Sequence, residues 1–239
     1  MIRIAMMVLK LFLKVPYYLY KINKSGKKEP FDLENGFAWC KYATIKANKA
    51  GKVKIESSGL ENLPKDNGFV LFPNHQGLYD VLAFLESCPV PFSFIIKKEA
   101  KNIILLKQVI AATRSIAIDR EDLRQSMQVI QTITEEVQKG RNFLIFAEGT
   151  RSKEGNKLLD FKGGSFKSAY KAKCPIVPCA LIDAFKPFDE NSVRAVTVKL
   201  KYLQPLYYDE YKDMKTTEIA AEVKKRIELA ISEEIEKTN

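Results

Sequence analysis

The sequence predicts an α/β layered domain with a mixed, largely parallel sheet flanked by helices, preceded by an N-terminal amphipathic helical segment. Three observations carry that expectation. Short apolar runs of strand length alternate with stretches of helical period, the order expected when helices cover a sheet. Polar, charged clusters follow directly on two of the apolar runs, at the strand ends where α/β sheets bind ligands. The basic excess sits at one end of the chain. The first 28 residues contain seven cations (Arg3, Lys10, Lys14, Lys21, Lys24, Lys27 and Lys28) and no acid, whereas the other 211 residues hold 32 cations against 29 acids.

The 239 residues fit one domain with a small appendage, divided as a docking segment over 1–50 and a main domain over 51–239. Hydrophobic residues at 46% can build a packed core, which excludes global disorder. The +10 balance belongs to the N-terminal end and not to a face of the body, which argues against nucleic-acid binding. Four scattered cysteines (Cys40, Cys88, Cys174 and Cys179) are too few for a disulfide scaffold, and reduced thiols are expected. Cys174 and Cys179 bracket a strand entry, and no second pair completes a zinc site.

The N-terminal segment is both the most basic and the most apolar part. At about 100° per residue, Arg3, Lys10, Lys14 and Lys21 fall in a stripe roughly 40° wide, with Ile4, Val8, Leu11, Phe12, Val15, Leu19 and Ile22 on another face. The longest uninterrupted apolar run there is six residues, against the about 20 that a membrane span needs. Tyr17, Tyr18 and Tyr20 suit the headgroup level. The segment reads as an interfacial helix lying on an anionic membrane surface, kinked or divided by Pro16 and removable without loss of the fold.

After a charged break at 24–30, a second helix is expected over 33–48, ended by Gly51. Alternation predicts a strand over 52–58, and the apolar run 68–72 a buried strand stopped by Pro73. Helical period follows over 78–85. Strands are expected at 92–96 and 115–118, then a long helix over 121–139 closed by Gly140. A strand over 142–146, a helix over 165–173 and strands over 176–182 and 193–201 follow. A last helix over 218–236 groups Ile219, Val223, Ile227, Ala230 and Ile231 on one face.

Two clusters carry chemistry. His75, the one histidine, lies in Asn74-His75-Gln76-Gly77-Leu78-Tyr79-Asp80, directly after an apolar strand. Within one helix a spacing of five separates two side chains by about 140°. His75 and Asp80 therefore meet only if His75 is on the strand-to-helix turn and Asp80 in the first helical turn. A carboxylate on one ring nitrogen fixes the tautomer and leaves the other nitrogen as a base. The second cluster is Phe146-Ala147-Glu148-Gly149-Thr150-Arg151-Ser152: Gly149 permits close backbone approach, Thr150 and Ser152 supply hydroxyls, and Arg151 offers a fork suited to phosphate. Arg120, at the end of Ile116-Ala117-Ile118-Asp119-Arg120, is a further arginine at a strand end. The absence of GxSxG, GxxxxGK[ST], GxGxxG and HExxH patterns disfavours serine hydrolases, P-loop enzymes, dinucleotide enzymes and zincins.

Together these residues resemble the glycerolipid acyltransferases of the 1-acyl-glycerol-3-phosphate type. Residues 74–80 are similar to the family's NHxxxxD block, Ile118-Asp119-Arg120 to its second block, 146–152 to its FPEGTRS block and Pro175-Ile176-Val177-Pro178 to its fourth. Order and spacing agree from 52 to 206. Ala147 departs from the usual Pro, and 111–113 from a region where relatives often carry Gly. The resemblance implies that His75 takes the proton of the acceptor hydroxyl as it attacks an acyl thioester, and that Asp80 orients His75. It implies that Arg151, Arg120 and Lys97 (or Lys98) hold the acceptor phosphate, while Glu148, Gly149 and Thr150 shape the acceptor site. It implies no metal and no cofactor, acyl-ACP or acyl-CoA as donor, lysophosphatidic acid as acceptor and phosphatidic acid as product. A bacterial enzyme on the cytoplasmic face of the cell membrane, peripheral or monotopic, is the setting implied. Glycerol 3-phosphate or a lysophospholipid are the alternative acceptors within the family. A non-catalytic membrane-binding module is the alternative outside it.

Overall fold

The computed structural model describes residues 2–28, 32–102, 106–119 and 122–237. A seven-stranded sheet forms the middle layer, in the order β1-β7-β6-β2-β5-β3-β4. The strands are β1 (Val53–Ser58), β2 (Val70–Pro73), β3 (Ser93–Lys97), β4 (Ile116–Ile118), β5 (Phe143–Leu144), β6 (Ile176–Ile182) and β7 (Val196–Tyr202). All neighbours pair parallel except β6 and β7, so β1 and β7 run against the other five. The mixed, largely parallel sheet expected from the sequence is therefore present.

Strand alternation splits the apolar residues between two cores. Phe69 and Leu71, with Val177, Cys179 and Leu181 of β6, face one side. Val70 and Phe72, with Ile176, Ala180 and Ile182, face the other. The second side is covered by α6 (Leu123–Gln138), α7 (Lys167–Ala172) and α10 (Thr216–Glu236), whose Ile219, Val223, Ile227, Ala230 and Ile231 are buried there. The first side is covered by α1 (Ile2–Lys10), α2 (Val15–Lys27), α3 (Leu33–Gly51) and α4 (Asp80–Ser87). Asp32 and Asp122 cap α3 and α6, accepting from Asn35 N and Gln125 N. Gly51 is the last residue of α3, as expected, and Lys52 takes the left-handed position at φ 55°. A Cβ there would run into the Met7 side chain, which packs over Gly51.

Three short helices, α5 (Leu106–Ala112), α8 (Lys186–Asp189) and α9 (Tyr208–Tyr211), lie where no helix is expected from the sequence. At seven, four and four residues they are shorter than the window of about 11–18 residues over which helical periodicity is read. Ala111 and Ala112 of α5 form the seat on which α2 and α3 rest, against Gly26 and Gly36.

The N-terminal segment departs from its expectation. It divides at residues 11–14, just before Pro16, into α1 and α2. The cation stripe therefore does not form, because positions share a face only while one helix continues. Arg3 is 1% exposed, donating from Nε to Pro187 O (2.9 Å) and from Nη1 to Gly51 O (2.6 Å). Lys10 reaches Ala50 O at 3.1 Å. What points outward is the corner between the two helices, with Phe12 67% and Leu13 87% exposed beside Leu9, Tyr17 and Tyr20. Met7 and Ile22 join the same core as the sheet residues, so removing 1–24 would open that core instead of leaving the fold intact. Among the described residues no helix is long and apolar enough to cross a membrane.

Candidate active site

β2 stops at Pro73, which has no N–H to offer its neighbours, and the chain turns before α4 begins at Asp80. Asn74 replaces the strand pairing with its side chain: Nδ2 donates to Leu181 O (3.0 Å) and Oδ1 accepts from Leu181 N (2.8 Å). Gln76 does the same one step on, accepting from Ala184 N (2.8 Å) and donating to Asn156 Oδ1 (2.8 Å). Gly77 presses against α8, where a Cβ would stand 3.1 Å from Asp189 Oδ2 and 3.2 Å from Phe185 Cα. The turn is thus pinned on both sides of His75.

His75 and Asp80 meet as their spacing requires, with Nδ1 and Oδ2 2.7 Å apart. Asp80 also accepts from Gln76 N (2.7 Å) and Gly77 N (3.0 Å). The carboxyl is 1% exposed, and burial pushes it up; His75 and the two backbone donors pull it back. Three donors converge on the one carboxylate, each favouring its charged form. The imidazole stacks on Phe146, with centroids 4.1 Å apart at 25°. Its Nε2 has no partner among the described residues and the ring is partly exposed, so this nitrogen is free to take a proton.

The second cluster follows β5 and folds against the first. Glu148 Oε1 accepts from His75 N (2.6 Å) and Oε2 from Leu159 N (2.9 Å). Burial raises this carboxyl, and the two backbone donors offset part of that rise. Its oxygens are therefore turned to backbone, holding His75 in place, and Glu148 is a buttress of the loop more than a wall of the acceptor site. Ser152 N closes the junction on His75 O at 2.9 Å. Gly149 has φ +76°, a left-handed conformation that glycine adopts without strain. Thr150 is exposed, and Arg151 is partly exposed with no side-chain partner among the described residues. Lys97 ends β3 and pairs with Glu99 (3.2 Å), while Lys98 pairs with Asp119 (3.4 Å). Arg120 lies outside the described residues.

Asn74, Gln76 and Phe146 are functional neighbours that the sequence reading passes over, although all three stand inside its quoted motifs. The four cysteines are buried, free thiols. Among the described residues no three His, Cys, Asp or Glu side chains gather as a metal site.

A protein-family model, Acyltransferase, matches residues 54–182. The chain is 30% identical over 150 residues to the 1-acyl-sn-glycerol-3-phosphate acyltransferase of Helicobacter pylori, covering 59% of this chain and 63% of that one. It is 28% identical over 182 residues to the protein of the same name from Salmonella typhimurium, covering 76% and 74%. The match to the Borreliella burgdorferi protein spans 56% of that relative's length. The crystal structure of the 1-acyl-sn-glycerophosphate (LPA) acyltransferase PlsC from Thermotoga maritima has the same fold, with a TM-score of 0.77 over 97% of this chain and 96% of that one, at 21% identity.

Proposed function

The chain belongs to the acyltransferase family, and from that premise we propose that it moves a fatty acyl group from a thioester donor, acyl-ACP or acyl-CoA, to the free hydroxyl of 1-acyl-glycerol-3-phosphate, giving phosphatidic acid. The observation that carries the reading is the His75–Asp80 pair at 2.7 Å, with Nε2 open beside the loop that bears Arg151. As the acceptor oxygen attacks the thioester carbonyl carbon, His75 Nε2 takes its proton and Asp80 steadies the imidazolium through Nδ1–H. The tetrahedral adduct then collapses. Its C–S bond breaks, the sulfur receives the proton from Nε2, and the neutral imidazole returns. Arg151 holds the acceptor phosphate, its fork matching two oxygens. Arg120 and Lys97 assist it, and Gly149 and Thr150 border the acceptor.

Residues 1–50 dock the enzyme on an anionic membrane surface, at the cytoplasmic face, and residues 51–239 carry the transfer. The exposed corner with Phe12 and Leu13 supports docking by shallow insertion, with the lysines of α2 near the headgroups.

Mass analysis of lipid products from a panel of lyso-acceptors, with each donor in turn, tests the substrate assignment. Phosphatidic acid is the expected product, and its absence with both donors would refute it. His75→Ala is expected to lower kcat by about 10²–10⁴-fold with the fold intact. Asp80→Asn is expected to lower kcat too and also to loosen the turn, because an amide cannot accept from the ring, Gln76 N and Gly77 N together. Near-normal turnover in folded His75→Ala removes the base assignment.

A further inference from the structure

The loop after β5 holds a second cation to which the acyl-transfer reading gives no task. A Cβ on Gly149 would stand 3.0 Å from Lys162 Nζ, 3.2 Å from its Cε and 3.4 Å from its Cδ. The end of the Lys162 side chain therefore lies along the Gly149 backbone, in space that only a glycine leaves open. The crossing is anchored, since Lys162 N donates to Ala147 O at 2.9 Å and Ala147 is fully buried.

The ammonium is uncompensated. Lys162 is exposed and has no carboxylate partner among the described residues. Its neighbours differ: Lys157 pairs with Glu154 and Lys224 with Asp160, both at 2.7 Å. The carboxylate adjoining Gly149, that of Glu148, is taken up by His75 N and Leu159 N. Lys97 and Lys98 are engaged by Glu99 and Asp119. Among the described residues this leaves Arg151, Lys153 and Lys162 as cations of this loop with no carboxylate partner, and of the two lysines Lys162 is the one whose ammonium lies against Gly149.

Resting on the acyl-transfer reading, we propose that Lys162 is an acceptor-binding residue. Its ammonium and the Arg151 guanidinium together hold the phosphomonoester of the acceptor, and residue 149 is glycine so that the ammonium can reach across the loop. A phosphomonoester carries about −1.5 to −2 charge near neutral pH, which two cations match. The division of labour suits the side chains: the guanidinium fixes orientation and the ammonium adds a mobile point charge.

The test compares steady-state transfer to lysophosphatidic acid and to the corresponding monoacylglycerol, which lacks the phosphate. Lys162→Ala is expected to raise the KM for lysophosphatidic acid about tenfold or more, as loss of a charge-assisted contact would. The donor KM and the kinetics with monoacylglycerol should stay as in the wild type. Lys162→Arg should recover most of the loss, and Lys157→Ala should show none. A wild-type acceptor KM in Lys162→Ala, or an equal penalty on both acceptors, overturns the proposal. Wild-type protein that transfers to neither acceptor defeats the acyl-transfer reading and this proposal with it. Active wild type with indifferent Lys162 variants defeats the proposal alone.

Discussion

Replacing Glu148 by Gln separates a loop buttress from an acceptor contact. The carboxylate is 2% exposed and both oxygens are occupied, by His75 N at 2.6 Å and Leu159 N at 2.9 Å. Glutamine keeps the length and one acceptor oxygen but turns an NH2 toward a backbone N–H. One charged hydrogen bond is lost and one buried donor pair is opposed, a cost of about 2–4 kcal/mol. For a chain of this size that corresponds to a Tm lower by roughly 5–15 °C. Because the two bonds share one side chain and one of them holds His75, kcat should fall at least about tenfold through misplacement of the base, with the acceptor KM changed less. Urea denaturation and acceptor and donor titrations read the two effects. A Glu148→Gln protein of wild-type stability with only its acceptor KM raised would refute the argument, and would put the Glu148 carboxylate back in the acceptor site.

Changing Phe12 and Leu13 together to Ser should abolish sedimentation with anionic vesicles while leaving the Tm unchanged, since each exposed side chain is worth about 1.5–3 kcal/mol if fully buried in the bilayer. Deleting residues 1–24 should lower the Tm as well, because it removes Met7, Ile22 and the buried Arg3 ties to Pro187 and Gly51; an unchanged Tm would mean that α1 and α2 do not belong to the core. Lys199 and Lys201 hold Glu234 down to about 2, below its ordinary value of 4.5. A depressed carboxyl stabilises the fold above its unfolded value and loses that contribution as pH falls from about 4.5 toward 2. Glu234→Gln should therefore cost about 1–2 kcal/mol at pH 7, allowing for solvent on the carboxylate, and should flatten the loss of stability measured by urea titration between pH 5 and 2.

The sheet and the His75–Asp80 pair were legible for different reasons. A strand such as β6 shows as an unbroken apolar run between turn residues, and a helix such as α10 is long enough to state its own period. The His75–Asp80 pair was legible because a spacing of five admits contact in only one local structure, the strand-to-helix turn that is present. The N-terminal stripe failed for a related reason. Summing angles from Arg3 to Lys21 assumes one continuous helix, and the turn at 11–14 cancels the sum and leaves Arg3 facing Pro187. Lys162 was hidden by distance along the chain. Fourteen residues separate it from Glu148, and nothing in the local pattern announces that its backbone returns to Ala147.

The two buried carboxylates of the site divide the work by what they accept. Asp80 takes the ring and the two peptide N–H groups that follow His75, so it fixes the tautomer and the curvature of the turn at once. Glu148 takes the N–H of His75 and that of Leu159, so it fixes where the turn sits against the loop after β5. On each acid both oxygens are taken up by ring or backbone donors. Burial of both acids concentrates their effect on His75. The adjoining blocks in the sequence are therefore halves of one object: the second supplies the Glu148 carboxylate and the Ser152 N–H that hold the backbone of His75 in the first.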